Sequence, residues 1–295
     1  MPSRIESLSR FESIAVGSGL TSAAVDDDGK LFTWGRATRP FDETMPSGLG
    51  YALDSGTKWQ LTPKWVEALS EDRVAGVTLG CGFTLAVTNA GAVFSFGHSD
   101  SGALGRSSFE AEVLPRRIEA LAQTKRQFVA VAAGGYHALA LTEEGKLYGW
   151  GRGCGHRHRM DDPTPRQLTA LIGQRVKYMT VGDSQACAVT EKGELYTWGF
   201  GERGQLGHGD GEDKKTQKTP RRVEWLSGVK VAAVAMCHTH TLVADEEGVV
   251  WAFGLRSALG LGDSNVVPVE DVLKPARILT LRVRARTSPE VLPFR

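Results

Sequence analysis

Three stretches hold residues whose types and spacing could do chemistry. Gly199-Phe200-Gly201-Glu202-Arg203-Gly204 has the GxGxxG spacing that cradles a dinucleotide pyrophosphate. That chemistry needs a helix to open at the last glycine, so that free amides and the helix dipole face the phosphates. Gln205-Leu206-Gly207-His208-Gly209-Asp210 comes next instead, which is poor helix sequence. These glycines therefore read as loop glycines, and no cofactor is expected. Cys154-x-His156-x-His158 and Cys237-His238-x-His240 offer soft metal ligands. Zinc sites gather four ligands at characteristic spacings, and neither cluster reaches that number, so no metal is assigned unless the two meet in space. No Gly-x-Ser-x-Gly, Walker loop or His-Glu-x-x-His is present, and no catalytic residue is assigned.

Two further stretches suit binding. Leu281-Arg282-Val283-Arg284-Ala285-Arg286 alternates apolar and basic residues. As a strand it would show Arg282, Arg284 and Arg286 on one face, where guanidinium forks suit an acidic or phosphate-bearing partner. The alternative is a solvated edge or tail. The segment from Arg36 to Thr62 carries Phe41, Met45, Pro46, Leu49, Tyr51 and Trp59. A long loop this apolar on a rigid scaffold is a partner-binding candidate. Its alternative is to fold back over an end of the sheet array. Lys214, Lys215, Lys218, Arg221 and Arg222 come after Asp210, Glu212 and Asp213, which reads as a mixed-charge solvated loop.

The elements that position these stretches recur along the chain. An aromatic-glycine pair appears five times, at Trp34-Gly35, Phe96-Gly97, Trp150-Gly151, Trp198-Gly199 and Phe253-Gly254. Spacings near 50–60 residues mark a repeat architecture, with four-stranded propeller blades the leading class. Five residues before each aromatic sits a glycine (Gly29, Gly91, Gly145, Gly193, Gly248), placed to supply the positive φ of a hairpin turn. The strand after the turn, as in Leu195-Tyr196-Thr197-Trp198, puts two aromatics on one face and an aliphatic plus a small residue on the other. The strand before it, as in Ala138-Leu139-Ala140-Leu141, is apolar on both faces and predicted to be buried. A shorter element precedes it, and a proline-led, arginine-rich element closes each unit (Pro63, Pro115, Pro165, Pro220, Pro275), which predicts an edge strand. Leu69, Leu121, Leu171, Leu226 and Leu281 come shortly after. The units are 11–69, 74–121, 128–171, 176–226 and 231–281, between an amino-terminal segment 1–10 and a carboxy-terminal tail 282–295. Histidine at one repeat position (His137, His240) is replaced by Thr21, Phe83 and Gln185 elsewhere, which favours a structural histidine over a catalytic one.

The run from Gly134 to Gly151, with Gly204-Gln205-Leu206-Gly207 as its second half, resembles the regulator of chromosome condensation repeat family. Gly102-Ala103-Leu104-Gly105 repeats the second half, and Leu261-Gly262 offers a partial fifth copy. The resemblance covers roughly residues 11 to 281 and implies an all-β fold, a β-propeller of four-stranded units. Propellers of this family usually close with seven blades, whereas five units are recognised here. The chain is thus either a closed five-bladed ring or an open arc completed by a partner. The third unit has a short exit loop, Arg152 to Pro163. The family's founding member is an exchange factor for the GTPase Ran and binds chromatin partly through a basic amino-terminal tail. No such tail precedes the first repeat here.

The 295 residues include 41% hydrophobic and 23% charged, ordinary for a globular protein, and the net charge of +1 supplies no field toward nucleic acid or membrane. No apolar run nears the ~18 residues of a membrane span, and residues 1–13 lack a signal-peptide core. Four cysteines without paired spacing suit a reducing compartment. The expectation is an intracellular, most simply cytoplasmic, non-catalytic interaction scaffold with protein partners. The alternative is an exchange factor or regulator for a small GTPase.

Overall fold

The computed structural model describes residues 10–17, 20–36, 38–39, 42–46, 48–54, 57–153, 155, 161–209, 216–261 and 271–282. It places five four-stranded antiparallel sheets one after another along the chain. Sheet I contains β1 (Phe11–Val16), β2 (Thr21–Asp26), β3 (Leu31–Arg36) and, after a small hairpin of β4 (Thr38–Arg39) and β5 (Asp42–Pro46), β6 (Trp59–Trp65). Sheet II contains β7 (Val74–Leu79), β8 (Phe83–Thr88), β9 (Val93–Gly97) and β10 (Glu112–Arg117). Sheet III contains β11 (Phe128–Ala133), β12 (His137–Thr142), β13 (Leu147–Arg152) and β14 (Asp161–Gln167). Sheet IV contains β15 (Val176–Val181), β16 (Gln185–Thr190), β17 (Leu195–Gly199) and β18 (Gln217–Arg222). Sheet V contains β19 (Val231–Met236), β20 (His240–Asp245), β21 (Val249–Gly254) and β22 (Val272–Arg282).

The hairpin glycines do what their spacing predicts. Gly91 has φ +73°, and its N–H donates to the Thr88 carbonyl at 2.9 Å. This is a type I turn closed by a left-handed residue, a connection whose twist suits the strands. The rim prolines sit where the ladder is already broken. Between β10 and β9 the register slips between Glu112 and Arg116, across Pro115, and the other four sheets slip at the same place. A residue without an N–H costs no hydrogen bond there.

Register also decides which side chains share a face. Val131, Ala140, Tyr148 and Gln167 stand opposite one another across sheet III. The same slots hold Val77, Ala86, Phe94 and Arg117 in sheet II, and Met179, Ala188, Tyr196 and Arg222 in sheet IV. This alanine-and-aromatic face of each sheet packs on the leucine-and-valine face of the sheet before it. Ala138, Ala140, Tyr148 and Trp150 of sheet III form one cluster with Phe83, Leu85, Val87 and Val93 of sheet II. Trp198 with Ala186 and Ala188 meets Leu139, Leu141 and Leu147, and Phe253 meets Cys187, Val189 and Leu195. Alanines admit the neighbouring sheet closely and the rings fill the remaining gap.

The first strands adjoin in series, β1 to β7, β7 to β11, β11 to β15 and β15 to β19, so they form the hub and the proline-bearing strands the rim. Among the described residues, no strand pairing or comparable packing joins sheet V back to sheet I. In the first four units a short helical turn succeeds the rim strand and buries Leu69, Leu121, Leu171 or Leu226. The fifth unit departs from this expectation: β22 continues as strand through Arg282, which pairs with Val249, so the strand reaches one residue into the expected tail.

The sheet contact predicts a graded response to ring removal. Trp198 is fully buried, so Trp198→Ala is expected to cost about 3–5 kcal/mol in urea unfolding. Trp34 fills the same slot in sheet I but is only half-buried, and Trp34→Ala is expected to cost clearly less. Equal losses would refute the stacking order.

Candidate functional site

The polar groups of the repeat are used at the junctions between sheets. The small residue of the third strand is the first example. Thr33 donates its hydroxyl to the Leu49 carbonyl at 2.5 Å, Ser95 to Leu104 at 2.7 Å and Thr197 to Leu206 at 2.7 Å. Each bond holds an exit loop against its own sheet. The next sheet grips the loop from the other side: Thr84 donates to the Gly48 carbonyl at 2.7 Å, Trp150 Nε1 to Ala103 at 2.7 Å and Thr241 to Gln205 at 2.8 Å. The glycine that ends each loop lies on the ring of the next sheet. A β-carbon on Gly207, at φ +75°, would stand 2.8 Å from Phe253, and one on Gly50 2.9 Å from Phe96. Gly105 and Gly155 meet Trp150 and Trp198 in the same way.

These contacts add to one reading of the exit loops and correct another. The third loop lacks Leu-Gly yet keeps the functional glycine, Gly155. In the fifth unit the buried leucine is Leu259, packed with Val250, Ala252 and Ile278. Gly260 therefore takes the glycine position expected at Gly262, because a helical turn at Arg256–Ala258 shortens the loop. The GxGxxG glycines belong to the fourth exit loop. A β-carbon on Gly204 would meet Leu273 of sheet V at 2.7 Å, and the Gln205 side chain donates to the His238 carbonyl at 3.3 Å. The motif runs into a turn, not a helix.

The incoming turns at the hub form a second set of links. Cys81 donates its N–H to Gly135 at 3.3 Å, Gly135 to Asp183 at 2.7 Å, and the Gln185 side chain to the Cys237 carbonyl. Asp183 Oδ2 lies 3.3 Å from His238 Nδ1. His137, at the repeat's histidine position, is fully buried, and burial pushes its imidazole down to about 4 against the opposing effects of the Asp183 charge and a Gln185 backbone bond. Burial likewise pushes the Cys187 thiol up to about 12, so it packs as a small hydrophobe. Among the described residues no group of three or more metal-ligating side chains converges. Cys154, His156 and His158 lie outside the described residues, so the first cluster is not placed. Of the second, His238 meets Asp183 and His240 sits in β20.

The predicted partner-binding residues separate into three groups. Tyr51 is half-buried against sheets I and II, donates its hydroxyl to the Thr33 carbonyl at 2.8 Å and lies under the Lys64 ammonium, 4.6 Å from the ring centre. It anchors the loop. Trp59 opens the rim strand β6, is 45% exposed and carries the Arg36 guanidinium 5.7 Å from its ring centre. Leu61, two residues on, is also exposed. Met45 lies in β5 and Arg282 ends β22. Phe41, Arg284 and Arg286 lie outside the described residues. The sequence reasoning missed the hydroxyls Thr33, Ser95 and Thr197. The signal was partial: a hydroxyl fills that slot in the first, second and fourth units, all with a Leu-Gly exit loop, but the fifth holds Ala252 although Leu261-Gly262 stands at the spacing of the second and fourth.

Residues 1–288 match the RCC1-like domain. The chain belongs to that family. It is 36% identical over 290 residues to the human E3 ubiquitin-protein ligase HERC2, covering 96% of this chain and 6% of that protein. It is 30% identical over 270 residues to the ultraviolet-B receptor UVR8 of Arabidopsis thaliana, covering 90% of this chain and 58% of that one. The chain thus spans less than two thirds of the length of each of these relatives. Among solved structures, Prp20p of Saccharomyces cerevisiae, known for its binding to Gsp1p and histones, superposes with a TM-score of 0.74 at 22% identity, over 91% of this chain and 65% of that one. Human WBSCR16 superposes at 0.72 and 18% identity, over 90% and 66%. These likenesses establish the propeller fold. No helix among the described residues is long and apolar enough to cross a membrane.

The junctions generate two predictions. Gly207→Ala must strain a left-handed backbone and press on Phe253, and is expected to cost roughly 2–5 kcal/mol. Gly260→Ala meets nothing within 4 Å among the described residues and is expected to cost only the backbone strain, roughly 1–2 kcal/mol. Urea unfolding of both variants checks the difference. The second prediction concerns pH. His137 is held neutral in the folded state, with its pKa lowered from 6.5 to about 4. The unfolded chain binds more protons between those values, so this contribution is full above pH 6.5 and is lost as pH falls toward 4. The loss is expected to be roughly 3 kcal/mol. His137→Gln, the residue used in this slot at position 185, should remove that part of the acid sensitivity. An unchanged pH profile would refute it.

Proposed function

We propose that this chain is a non-catalytic protein–protein interaction scaffold, acting as a subunit of a larger assembly. One observation carries the reading. The repeat's hydroxyls and buried histidine are committed to packing within the sheet stack, whereas Trp59 and Leu61, at the end of the first unit's long exit loop, are exposed on the rim beside Arg36. Exposed aromatics backed by arginine are the side chains that anchor protein interfaces. The first exit loop, with Phe41, Met45 and Trp59 held in place by the anchoring Tyr51, and the basic run Arg282, Arg284 and Arg286 are the surfaces assigned to the partner.

A second reading, a regulator or exchange factor for a small GTPase, draws on the likeness to Prp20p and its binding of Gsp1p. The near-neutral charge gives no reason to expect direct nucleic-acid binding. The two readings separate in paired assays. Affinity capture from lysate is expected to retain a stoichiometric protein partner that Trp59→Ala combined with Leu61→Asp reduces at least tenfold. Capture insensitive to that variant rejects the surface. Acceleration of fluorescent-nucleotide release from a panel of small GTPases would select the second reading, and no acceleration would reject it.

A further inference from the structure

The end of sheet II at the β8–β9 hairpin differs from its sister units in charge. There the hairpin meets the connection that runs from β10 to β11, and a cavity of about 270 Å³ lies between them. Arg117, Lys125 and Arg126 line it, together with Ala90, Ala92 and Gln127 of the hairpin and the connection. No acidic side chain is among the residues that wall it.

The sister units place acids at the matching positions. Glu143, Glu191 and Glu246 each donate a backbone N–H to the residue just before the first strand of their own sheet. Asn89 makes that bond in sheet II. Glu194 of sheet IV lies 3.1 Å from the Arg222 guanidinium. Arg117 occupies the slot of Arg222, since it stands opposite Phe94 as Arg222 stands opposite Tyr196. The residue in the place of Glu194 is Ala92. Arg117 is exposed, and among the described residues its side chain has no ion pair.

The connection departs as well. Val66 and Val74, Leu168 and Val176, and Val223 and Val231 are eight positions apart, whereas Ile118 and Phe128 are ten apart. The longer connection holds Lys125 in the left-handed region at φ +55°. Gly173 and Gly228 adopt that conformation in the third and fourth connections, at φ +86° and +83°. A β-carbon there brings strain that glycine avoids. The chain thus keeps a lysine at the cavity where its sister units use glycine. Lys125 is exposed, and its ammonium has no ion pair among the described residues. Arg126 is held at the wall by Glu144 of sheet III.

We propose that this cleft binds a phosphate monoester group. Its two charges match the two uncompensated cations, Arg117 and Lys125, and Arg126 adds the planar donors that suit phosphate oxygens. A carboxylate would leave one cation unmatched. The cavity is smaller than the about 300 Å³ at which pockets for drug-sized ligands begin, so it admits the group and not a whole nucleotide. A phosphodiester carries one charge and belongs to a polymer that needs an extended basic face. The net charge of +1 provides no such face. The same chemistry serves free phosphate and a phosphorylated side chain of another protein, and the test separates them. The inference concerns the sheet II hairpin and stands whether or not the first exit loop binds a partner.

The test titrates the full chain with inorganic phosphate and with the peptide Gly-Gly-phosphoserine-Gly-Gly. It is run at physiological ionic strength and above the second phosphate pKa of about 6. Amide chemical shifts are expected to move saturably, centred on residues 90–93 and 121–128. Ala92→Glu supplies the acid that sheet IV uses, and is expected to weaken binding at least tenfold without lowering the thermal midpoint. Lys125→Gly removes a cation and the backbone strain together, so it should weaken binding while raising the midpoint. Arg116→Gln, on the same strand but paired with Glu112, should leave the affinity within twofold. Tighter binding of the peptide than of phosphate assigns the source to a phosphorylated protein, and binding no tighter assigns it to free phosphate. Absence of a saturable shift with both probes overturns the proposal. So do shifts centred elsewhere, equal affinity for dimethyl phosphate or acetate, and binding that Ala92→Glu leaves unchanged. If Ala92→Glu does not fold, Lys125→Gly decides by the same criterion.

Discussion

The structure depends on one contact, repeated: the alanine-and-aromatic face of a sheet against the leucine-and-valine face of the sheet before it. Each sheet therefore has a direction as well as two faces. Strand alternation has a period of two, so a slip of one residue would exchange the faces and abolish the contact on both sides. The hairpin glycines and the rim bulges prevent that slip by fixing where each strand begins and ends. The exit-loop glycine then sets how closely the next ring approaches, since a β-carbon at that point would overlap Phe96, Trp150, Trp198 or Phe253.

Close contact leaves polar groups that must be satisfied away from water, at a cost of roughly 1–3 kcal/mol for each one left unpaired. The repeat answers with short side chains of fixed reach. Threonine and serine hydroxyls bind loop carbonyls, and Gln185 crosses to the next incoming turn. Motifs that suggest chemistry in isolation are consumed by this demand. The GxGxxG glycines bring a loop against Leu273, and the buried imidazole of His137 is kept neutral between two sheets. Residues free to act on another molecule then lie on the rim and in the loops, away from the junctions.

The sheets were legible in the sequence because their signals are local. Turn glycines, alternation and rim prolines each act within a few residues, and strand and face assignments come directly from them. The exit loops were legible only in part. Leu261-Gly262 looked like the fifth copy because loop length is invisible to a motif, whereas burial of Leu259 depends on a turn two residues shorter. Nothing in the sequence separates Tyr51 as a partner-binding aromatic from Tyr51 as one folded back on the sheets, because its hydroxyl finds the Thr33 carbonyl eighteen positions earlier, a contact no local signal announces. The rim continuation of β22 through Arg282 was hidden for a related reason. Leu281 supplies the leucine that four units bury in a helical turn, but here the backbone stays extended and pairs with β21.

Repeat arrays gain stability from each unit and from each neighbouring interface. Among the described residues the interior sheets have two such interfaces and sheets I and V have one. The shortfall is visible residue by residue, since slots that are dry in sheets II to IV hold Ile14, Leu242 and Ala244 in partial or full contact with water. The two ends are not equivalent, because a directional stack exposes an aromatic face at one end and an aliphatic face at the other. Among the described residues the aliphatic end also carries a shielded His240 Nδ1 without a hydrogen-bond partner and a Gly260 with nothing within 4 Å of its β-carbon position, so the two ends differ in polar character as well as in shape.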